Sequence, residues 1–239
     1  MCGCRAASNK LAFDALSLTM ASLVSCPIKM ILIGMFDSPF VRRVAVSAKL
    51  LGLSFEHRNW SVGKDADRIK QYNPQGRVPT LVLDGGEVLI ESSAILDHFD
   101  QEAGPQRALL PASGAERRHA LQLVSTAAAC VDKGILLVFE RVFRPADKRH
   151  PGWEDRCRGQ MNAAMAVLDR ACATLPGEWL TGDRLMQPDI TLACAATYLK
   201  EAAGLELGRY PATQKHVQRC EALPEFREFY APFFTPQPQ

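Results

Sequence analysis

The first half of the chain alternates short apolar runs with amphipathic segments. Residues 30–34 form a continuous apolar run of strand length, as expected of a strand that is covered on both faces. Ser38 and Pro39 then begin a helix, because serine is a favoured N-cap residue and proline a favoured first helical residue. Gly52 is placed to end that helix. The opening pattern therefore predicts a strand, a turn and a helix.

The pattern continues with shorter elements up to about residue 103. These are a strand over 53–60, a short charged helix over 65–72, strands over 80–83 and 87–90, and a helix over 93–102. Asp84-Gly85-Gly86 lies between the last two strands and is a hairpin signal. Right-handed crossovers make the first two strands parallel neighbours, and the hairpin adds an antiparallel pair. The order β-α-β-α-β-β-α predicts an α/β domain of thioredoxin-like arrangement over residues 30–103.

The second half of the chain contains helical segments alone. Residues 104–112 are a linker by composition, and residues 113–239 predict an all-helical domain. Its predicted helices span residues 115–142, 155–175, 189–202, 212–220 and 225–230. At the start of the third of these helices, Met186 stands where serine or threonine is usual. Because methionine is a poor N-cap acceptor, we expect a loss of about 1 kcal/mol there, which Pro188 offsets in part.

Residues 1–29 differ from the rest of the chain. The run from Leu11 to Cys26 is moderately apolar, but Asp14 interrupts it, and it is too short and polar to span a bilayer. A signal peptide stays open as an alternative, since Arg5 and Lys10 precede the run. The interrupted run favours a disordered or non-native N-terminal extension before a folded domain that begins near residue 30.

Composition excludes several classes of protein. The chain has 239 residues, 47% hydrophobic and 23% charged, as in ordinary globular proteins, and its formal net charge of +2 argues against a nucleic-acid partner. Arg42-Arg43 is a basic pair rather than a tract, for which a solvated helix face is expected. The eight cysteines are scattered, and the close pair Cys2-Gly3-Cys4 has no histidine at ligand spacing. We therefore predict no metal site and a reduced, cytoplasmic protein.

Three short strings indicate the chemistry. They are Ser38-Pro39-Phe40-Val41-Arg42-Arg43, Asn73-Pro74-Gln75-Gly76-Arg77-Val78-Pro79 and Glu91-Ser92-Ser93-Ala94-Ile95. In this order and at these spacings, followed by a helical half, the chain resembles the cytosolic glutathione transferase superfamily, and in particular its bacterial serine-type members. The resemblance covers residues 31 to about 230. It implies a homodimeric enzyme that activates glutathione, its co-substrate, as a thiolate for attack on a small hydrophobic electrophile.

The resemblance assigns the catalytic role to Ser38. A serine hydroxyl is too weak a base to take a thiol proton, so its O–H would donate a hydrogen bond to the glutathione thiolate near the helix N-terminus. The structural alternative is that Ser38 only caps its helix. No cysteine stands at position 38 and the first domain has no Cys-x-x-Cys, so a thiol-disulfide exchange enzyme is not expected.

The same resemblance assigns glutathione binding to five more residues. Pro79 would be cis, so that the backbone of Val78 pairs with the cysteinyl part of glutathione like an added strand. Arg77 would reach a glutathione carboxylate, with solvated surface charge as the alternative. Ser92 would hold the γ-glutamyl carboxylate at a helix N-terminus and Glu91 the γ-glutamyl ammonium. A capping role for Ser92 can coexist with this.

Two other functions stay open at this point. The fold can serve as a non-catalytic binding or scaffold protein, or as a glutathione-dependent isomerase or dehalogenase that does not consume glutathione. The electrophile itself cannot be inferred. Its pocket is expected along the long helix, near residues 134–141, where no motif identifies the lining.

Overall fold

The computed structural model of the protein describes residues 30–235, and the predicted extension at 1–29 lies outside them. The first elements are β1 (Met30–Ile33), α1 (Pro39–Leu51), β2 (Phe55–Arg58), α2 (Ala66–Lys70), β3 (Thr80–Val82), β4 (Val88–Ile90) and α3 (Ser92–Ala103). The helices that follow are α4 (Gly114–Val142), α5 (Pro151–Ala173), α6 (Gln187–Ala202), α7 (Pro211–Glu221) and α8 (Pro224–Glu228). The predicted fold class, a thioredoxin-like unit followed by helices, is confirmed; the domain boundaries stay predictions.

The four strands form one mixed sheet in the order β2-β1-β3-β4. β1 runs parallel to β2 and antiparallel to β3, so that Leu32 lies opposite His57 on one side and Leu81 on the other. The β3–β4 hairpin is antiparallel, as its turn residues predict. This arrangement brings the turn after β1, the loop before β3 and the start of α3 to one edge of the sheet.

Helix α1 is buried around most of its circumference. Pro39 is its first residue, and Gly52 ends it with φ of 71°, a left-handed conformation that glycine adopts without steric cost. The helix packs against α3 on one side and against α6 and α8 on the other. The expected solvated face at Arg42-Arg43 is therefore wrong, because these side chains are only 3% and 4% exposed.

Arg42 is neutralised inside the protein. Its Nη1 and Nη2 donate to the two carboxylate oxygens of Glu221 at 2.8 and 2.6 Å, and Nη2 also donates to the Phe226 carbonyl at 2.8 Å. A bidentate pair of this geometry is the strong form of an ion pair. It ties α1 to α7 and α8, which lie almost 180 residues later in the chain.

Helix α4 is the central element of the helical half. It packs against α5 and α6, and Cys130, Cys157 and Cys172 are buried in the apolar core between the helices. By length and composition α4 could cross a membrane, with a mean hydropathy of 1.5 over its most apolar window. The core helix of a soluble protein passes the same test, so this is weak evidence for a membrane span.

The start of α6 does not need a capping side chain at Met186. The carboxylate of Asp189 accepts from the Met186 N–H at 2.9 Å and from the Leu180 N–H at 2.9 Å. The Asp189 N–H donates to the Met186 carbonyl at 3.1 Å, so it is satisfied by backbone. The expected loss at Met186 is thus countered by Asp189, which is fully buried beside His216 Nε2 at 3.1 Å.

Replacing Asp189 by alanine should destabilise the protein by about 3 kcal/mol, because two buried N–H groups lose a charged acceptor. Asp189→Asn keeps one acceptor oxygen and should lose less. The measurement is urea unfolding followed by circular dichroism, with exposed Asp84→Asn as the matched control. An Asp189→Ala variant as stable as the control would contradict this account of the α6 start.

Candidate active site

Ser38 lies at the turn between β1 and α1 and caps the helix. Its side-chain oxygen accepts from the Val41 N–H at 3.5 Å, which is long for a hydrogen bond. The Ser38 N–H donates to the Met35 carbonyl, and the Ser38 carbonyl accepts from the Arg42 N–H at 2.9 Å. No other hydrogen bond within residues 30–235 involves the Ser38 hydroxyl, so its O–H is available to donate to a ligand.

Val78 lies directly against this turn. A Cβ atom built on Gly34 would come within 2.8 Å of the Val78 Cβ, so glycine at 34, with φ of 135°, permits the close approach. The Val78-Pro79 peptide bond is cis. In the part of the chain that the structure describes, neither the N–H nor the carbonyl of Val78 has a hydrogen-bond partner. Both groups are thus available to pair with an extended backbone.

The loop before Pro79 is held from inside. Asn73 is buried, and its Nδ2 donates to the Arg77 carbonyl at 2.9 Å. The Arg77 side chain extends outward and forms an ion pair with Glu91, with Nη1 to Oε1 at 3.0 Å. Both side chains are about half exposed, so the pair contributes little to stability and can open for a ligand.

Glu91 and Ser92 lie where β4 passes into α3. Glu91 has φ of 66°, and it is the one non-glycine residue among 30–235 with a positive φ. Strained backbone of this kind is concentrated at functional sites. Ser92 is the first residue of α3 and is buried, and within residues 30–235 its N–H and that of Ser93 are free at the helix N-terminus.

Arg43 joins α1 to α3 at this point, and the sequence analysis missed it. Its Nε and Nη2 donate to the Ser92 hydroxyl oxygen at 3.1 and 2.6 Å, and its Nη1 donates to Thr191 Oγ1 at 3.4 Å. Burial lowers the pKa of Arg43 to about 10, which still leaves it charged at neutral pH. No local signal marks this contact, because α1 carries polar residues as well as an apolar face in sequence.

The turn before Ser38 is fixed by aromatic contacts and by the C-terminal segment. Phe36 stacks on His57 with 3.9 Å between ring centroids. The Asp37 carboxylate accepts from the Phe234 N–H at 3.3 Å, and burial raises the pKa of Asp37. The segment after α8 therefore reaches back to the β1–α1 turn.

Only some of the residues of α4 that were expected to line the electrophile pocket, 134–141, are accessible. Gly134, Leu137, Val138 and Glu140 are buried, whereas residues 135, 136, 139 and 141 keep accessible surface. Gly134 lies against Leu199 of α6 and so serves helix packing.

The six residues predicted for the site are thus brought to one edge of the molecule. Val78 lies against the Ser38 turn, Arg77 pairs with Glu91, and Ser92 is bound by Arg43 of the Ser38 helix. No group of three or more histidine, cysteine, aspartate or glutamate residues within 30–235 could hold a metal ion. The site therefore offers a hydroxyl, an unpaired stretch of backbone and a helix N-terminus.

Two family models match this architecture. The N-terminal domain of glutathione S-transferase matches residues 32–107, and the C-terminal domain of glutathione S-transferase matches residues 151–231. The chain belongs to the glutathione S-transferase family. The predicted membership of the superfamily is thereby confirmed.

Individual relatives agree with this membership. The maleylacetoacetate isomerase of Pseudomonas aeruginosa is 30% identical over 196 residues, which cover 78% of this chain and 88% of that protein. A glutathione S-transferase of Methylobacterium radiotolerans, solved with glutathione sulfonate, has a TM-score of 0.78 at 28% identity and covers 87% of this chain and 99% of its own. A family member from Pseudomonas fluorescens Pf-5, solved with bound glutathione, has a TM-score of 0.76 at 28% identity, with 86% and 100% covered.

The long capping bond of Ser38 leads to a stability prediction. Ser38→Ala should lower the free energy of unfolding by no more than about 0.5 kcal/mol, because a 3.5 Å bond contributes little. Ser47→Ala is the comparison: the Ser47 hydroxyl is buried, donates to the Arg43 carbonyl at 2.7 Å and accepts from Gln187 Nε2 at 3.0 Å. Its loss should be about 2 kcal/mol.

Chemical denaturation of the two variants and the parent protein measures both values. If Ser38→Ala lost as much stability as Ser47→Ala, Ser38 would be primarily a structural cap.

Proposed function

We propose that this chain is a bacterial serine-type glutathione transferase, which activates glutathione as a thiolate and adds it to an electrophilic small molecule. The observation that supports this most is the free backbone of Val78 beside the Ser38 hydroxyl, whose O–H donor is free among the described residues. Family members of the same fold have been solved with glutathione and with glutathione sulfonate bound. Residues 30–103 would bind glutathione, and residues 113–239, joined by the linker 104–112, would hold the electrophile.

The geometry suggests a pose for glutathione. Its γ-glutamyl carboxylate would lie at the α3 N-terminus, where Ser92 and free N–H groups favour an anion. Glu91 would accept from the γ-glutamyl ammonium, and Val78 would pair with the cysteinyl backbone. Arg77 would leave Glu91 for a glutathione carboxylate. The cysteinyl sulfur would then lie next to Ser38.

Ser38 would stabilise the thiolate rather than accept its proton. Lowering the thiol pKa by about two units requires about 2.7 kcal/mol. A hydrogen bond to a charged group contributes about 1.5–3 kcal/mol, and the N-terminus of α1 adds roughly 0.3–1 kcal/mol. These two contributions suffice without a general base.

The rest of the assignment follows the family. A small hydrophobic electrophile would bind beside Phe40 and the accessible residues of α4, against the helical half. We propose a homodimer in the cytoplasm with neither a nucleic-acid nor a membrane partner. Membership of the family does not identify the electrophilic substrate.

Ser38→Ala should lower kcat/KM for glutathione addition by about 10- to 100-fold, because the thiolate loses its hydrogen bond. The dissociation constant for glutathione should change less than threefold, since the tripeptide is held at other residues. Steady-state kinetics with a panel of activated aryl halides and enones, together with titration calorimetry, measure both quantities.

The matched control is Ser54→Ala, which removes an exposed serine of the same half of the protein. It should leave all these constants unchanged. Unaltered turnover in Ser38→Ala for every glutathione-dependent reaction would contradict the assigned role.

A glutathione-dependent isomerase is the second candidate, because the Pseudomonas aeruginosa relative is a maleylacetoacetate isomerase. Such an enzyme adds the thiolate to a cis double bond, the adduct rotates about the resulting single bond, and expulsion of the thiolate re-forms the double bond as trans, so glutathione is regenerated. If this candidate holds, nuclear magnetic resonance of a reaction with a cis-enedione substrate will show trans product and constant glutathione. A glutathione adduct that accumulates in step with turnover would instead support the transferase.

A non-catalytic scaffold is the remaining alternative from the sequence. Failure of the full chain to bind glutathione at millimolar concentration would favour it over both enzymes.

A further inference from the structure

The two consecutive arginines of α1 are both buried but differently partnered. Arg42 has a bidentate carboxylate partner in Glu221. Arg43 donates only to the neutral hydroxyls of Ser92 and Thr191, and its guanidinium lies 5.5 Å from the centre of the Phe40 ring. Within residues 30–235, no carboxylate lies within ion-pair distance of Arg43. A buried cation without a countercharge is costly unless something else supplies one.

The contact with Ser92 also determines what that hydroxyl can do. A serine oxygen accepts two hydrogen bonds and donates one. Arg43 Nε and Nη2 occupy both acceptor positions of the Ser92 oxygen. The remaining capacity of Ser92 is its O–H donor, which no other described residue accepts. The Ser92 O–H is therefore free to donate a hydrogen bond to an acceptor atom of a bound ligand.

The surroundings of this donor favour an anion. The N–H groups of Ser92 and Ser93 at the start of α3 have no acceptor among the described residues, whereas those of Ala94 and Ile95 donate to the Glu91 carbonyl. The acids that act on Arg43 through space, Glu91 and Asp132, are beyond contact, and Glu91 is already paired with Arg77. A buried positive charge, a hydroxyl with its O–H free and a helix N-terminus thus lie together, and among residues 30–235 no carboxylate forms an ion pair with Arg43.

We propose that Arg43 is the positioning residue and buried countercharge for the α-carboxylate of the γ-glutamyl group, acting through the Ser92 hydroxyl. This inference rests on the proposed function, because it concerns glutathione bound at that site. It assigns to Arg43 a share of the preference for ligands that carry this carboxylate: replacing Arg43 should weaken glutathione and leave a carboxylate-free analogue unaffected.

Three ligands test the inference on the full chain by titration calorimetry. They are glutathione, 4-aminobutyryl-cysteinylglycine, which lacks only the α-carboxylate, and glutaryl-cysteinylglycine, which lacks only the ammonium. In the parent protein the loss of the carboxylate should weaken binding about 100-fold. In Arg43→Met that ratio should fall to about tenfold or less, because glutathione weakens while the carboxylate-free ligand does not.

Two further variants separate positioning from folding. Arg43→Lys retains the charge but lacks the fork of donors, so it should show an intermediate ratio of about 30-fold. Arg42→Lys is the matched control: it alters the adjacent buried arginine without touching Ser92, and it should keep the parent ratio even where stability falls. The effect of removing the ammonium should be the same in all four proteins. If Arg43→Met does not fold, the test is the difference between Arg43→Lys and Arg42→Lys in the affinity ratio for ligands with and without the carboxylate.

The outcomes that overturn the inference are distinct from failure of the proposed function. Equal weakening of all three ligands by the Arg43 substitutions, or an unchanged carboxylate ratio, would reduce Arg43 to a structural role while glutathione binding stands. A parent protein that does not bind glutathione at all would overturn both proposals.

Discussion

The structure depends on how helix α1 is held between the sheet and the helical half. Polar side chains on its buried face form hydrogen bonds with α3 and with the helical half: Arg42 with Glu221, Ser47 with Gln187, and Arg43 with Ser92 and Thr191. Buried hydrogen bonds are directional, so they restrict the rotation and translation of a helix that apolar packing alone would leave adjustable. Because Ser38 caps this helix, the same bonds place the proposed catalytic hydroxyl relative to Val78 and Ser92.

The two buried arginines of α1 have different partners and therefore different roles. Arg42 finds its carboxylate in α7, so its charge stabilises the association of the two halves. Arg43 has neutral partners alone among the described residues, and its charge is left for the ligand. A buried cation held only by neutral hydroxyls costs stability, which is the usual relation between stability and function at such sites.

Much of the fold could be predicted because its signals are local. Ser38-Pro39 and Gly52 mark the ends of α1, and Asp84-Gly85-Gly86 marks the hairpin, so the element order and the sheet topology are those expected. The strand predicted over 53–60 is shorter in the structure, because only Phe55–Arg58 pair with β1. The grouping of the six site residues followed from the family resemblance and from the topology, which brings three chain reversals to one edge.

The missed features are those that depend on distant partners. An Arg-Arg pair has the same local pattern on a surface and in a core. Its burial is decided by α6, about 150 residues later. Met186 differs, because the residue that accepts from its N–H, Asp189, lies only three positions later. The charge state and partners of Arg43, on which the further inference depends, could not be obtained from spacing.

The central claim is that the Ser38 hydroxyl stabilises a glutathione thiolate, and the pKa of bound glutathione tests it most directly. The thiolate absorbs near 240 nm, so a pH titration of the saturated complex reports its ionisation. The account predicts that the thiol titrates about two pH units below free glutathione, and that Ser38→Ala returns it most of the way to the free value. A bound thiol that titrates like free glutathione in the parent protein would contradict the account.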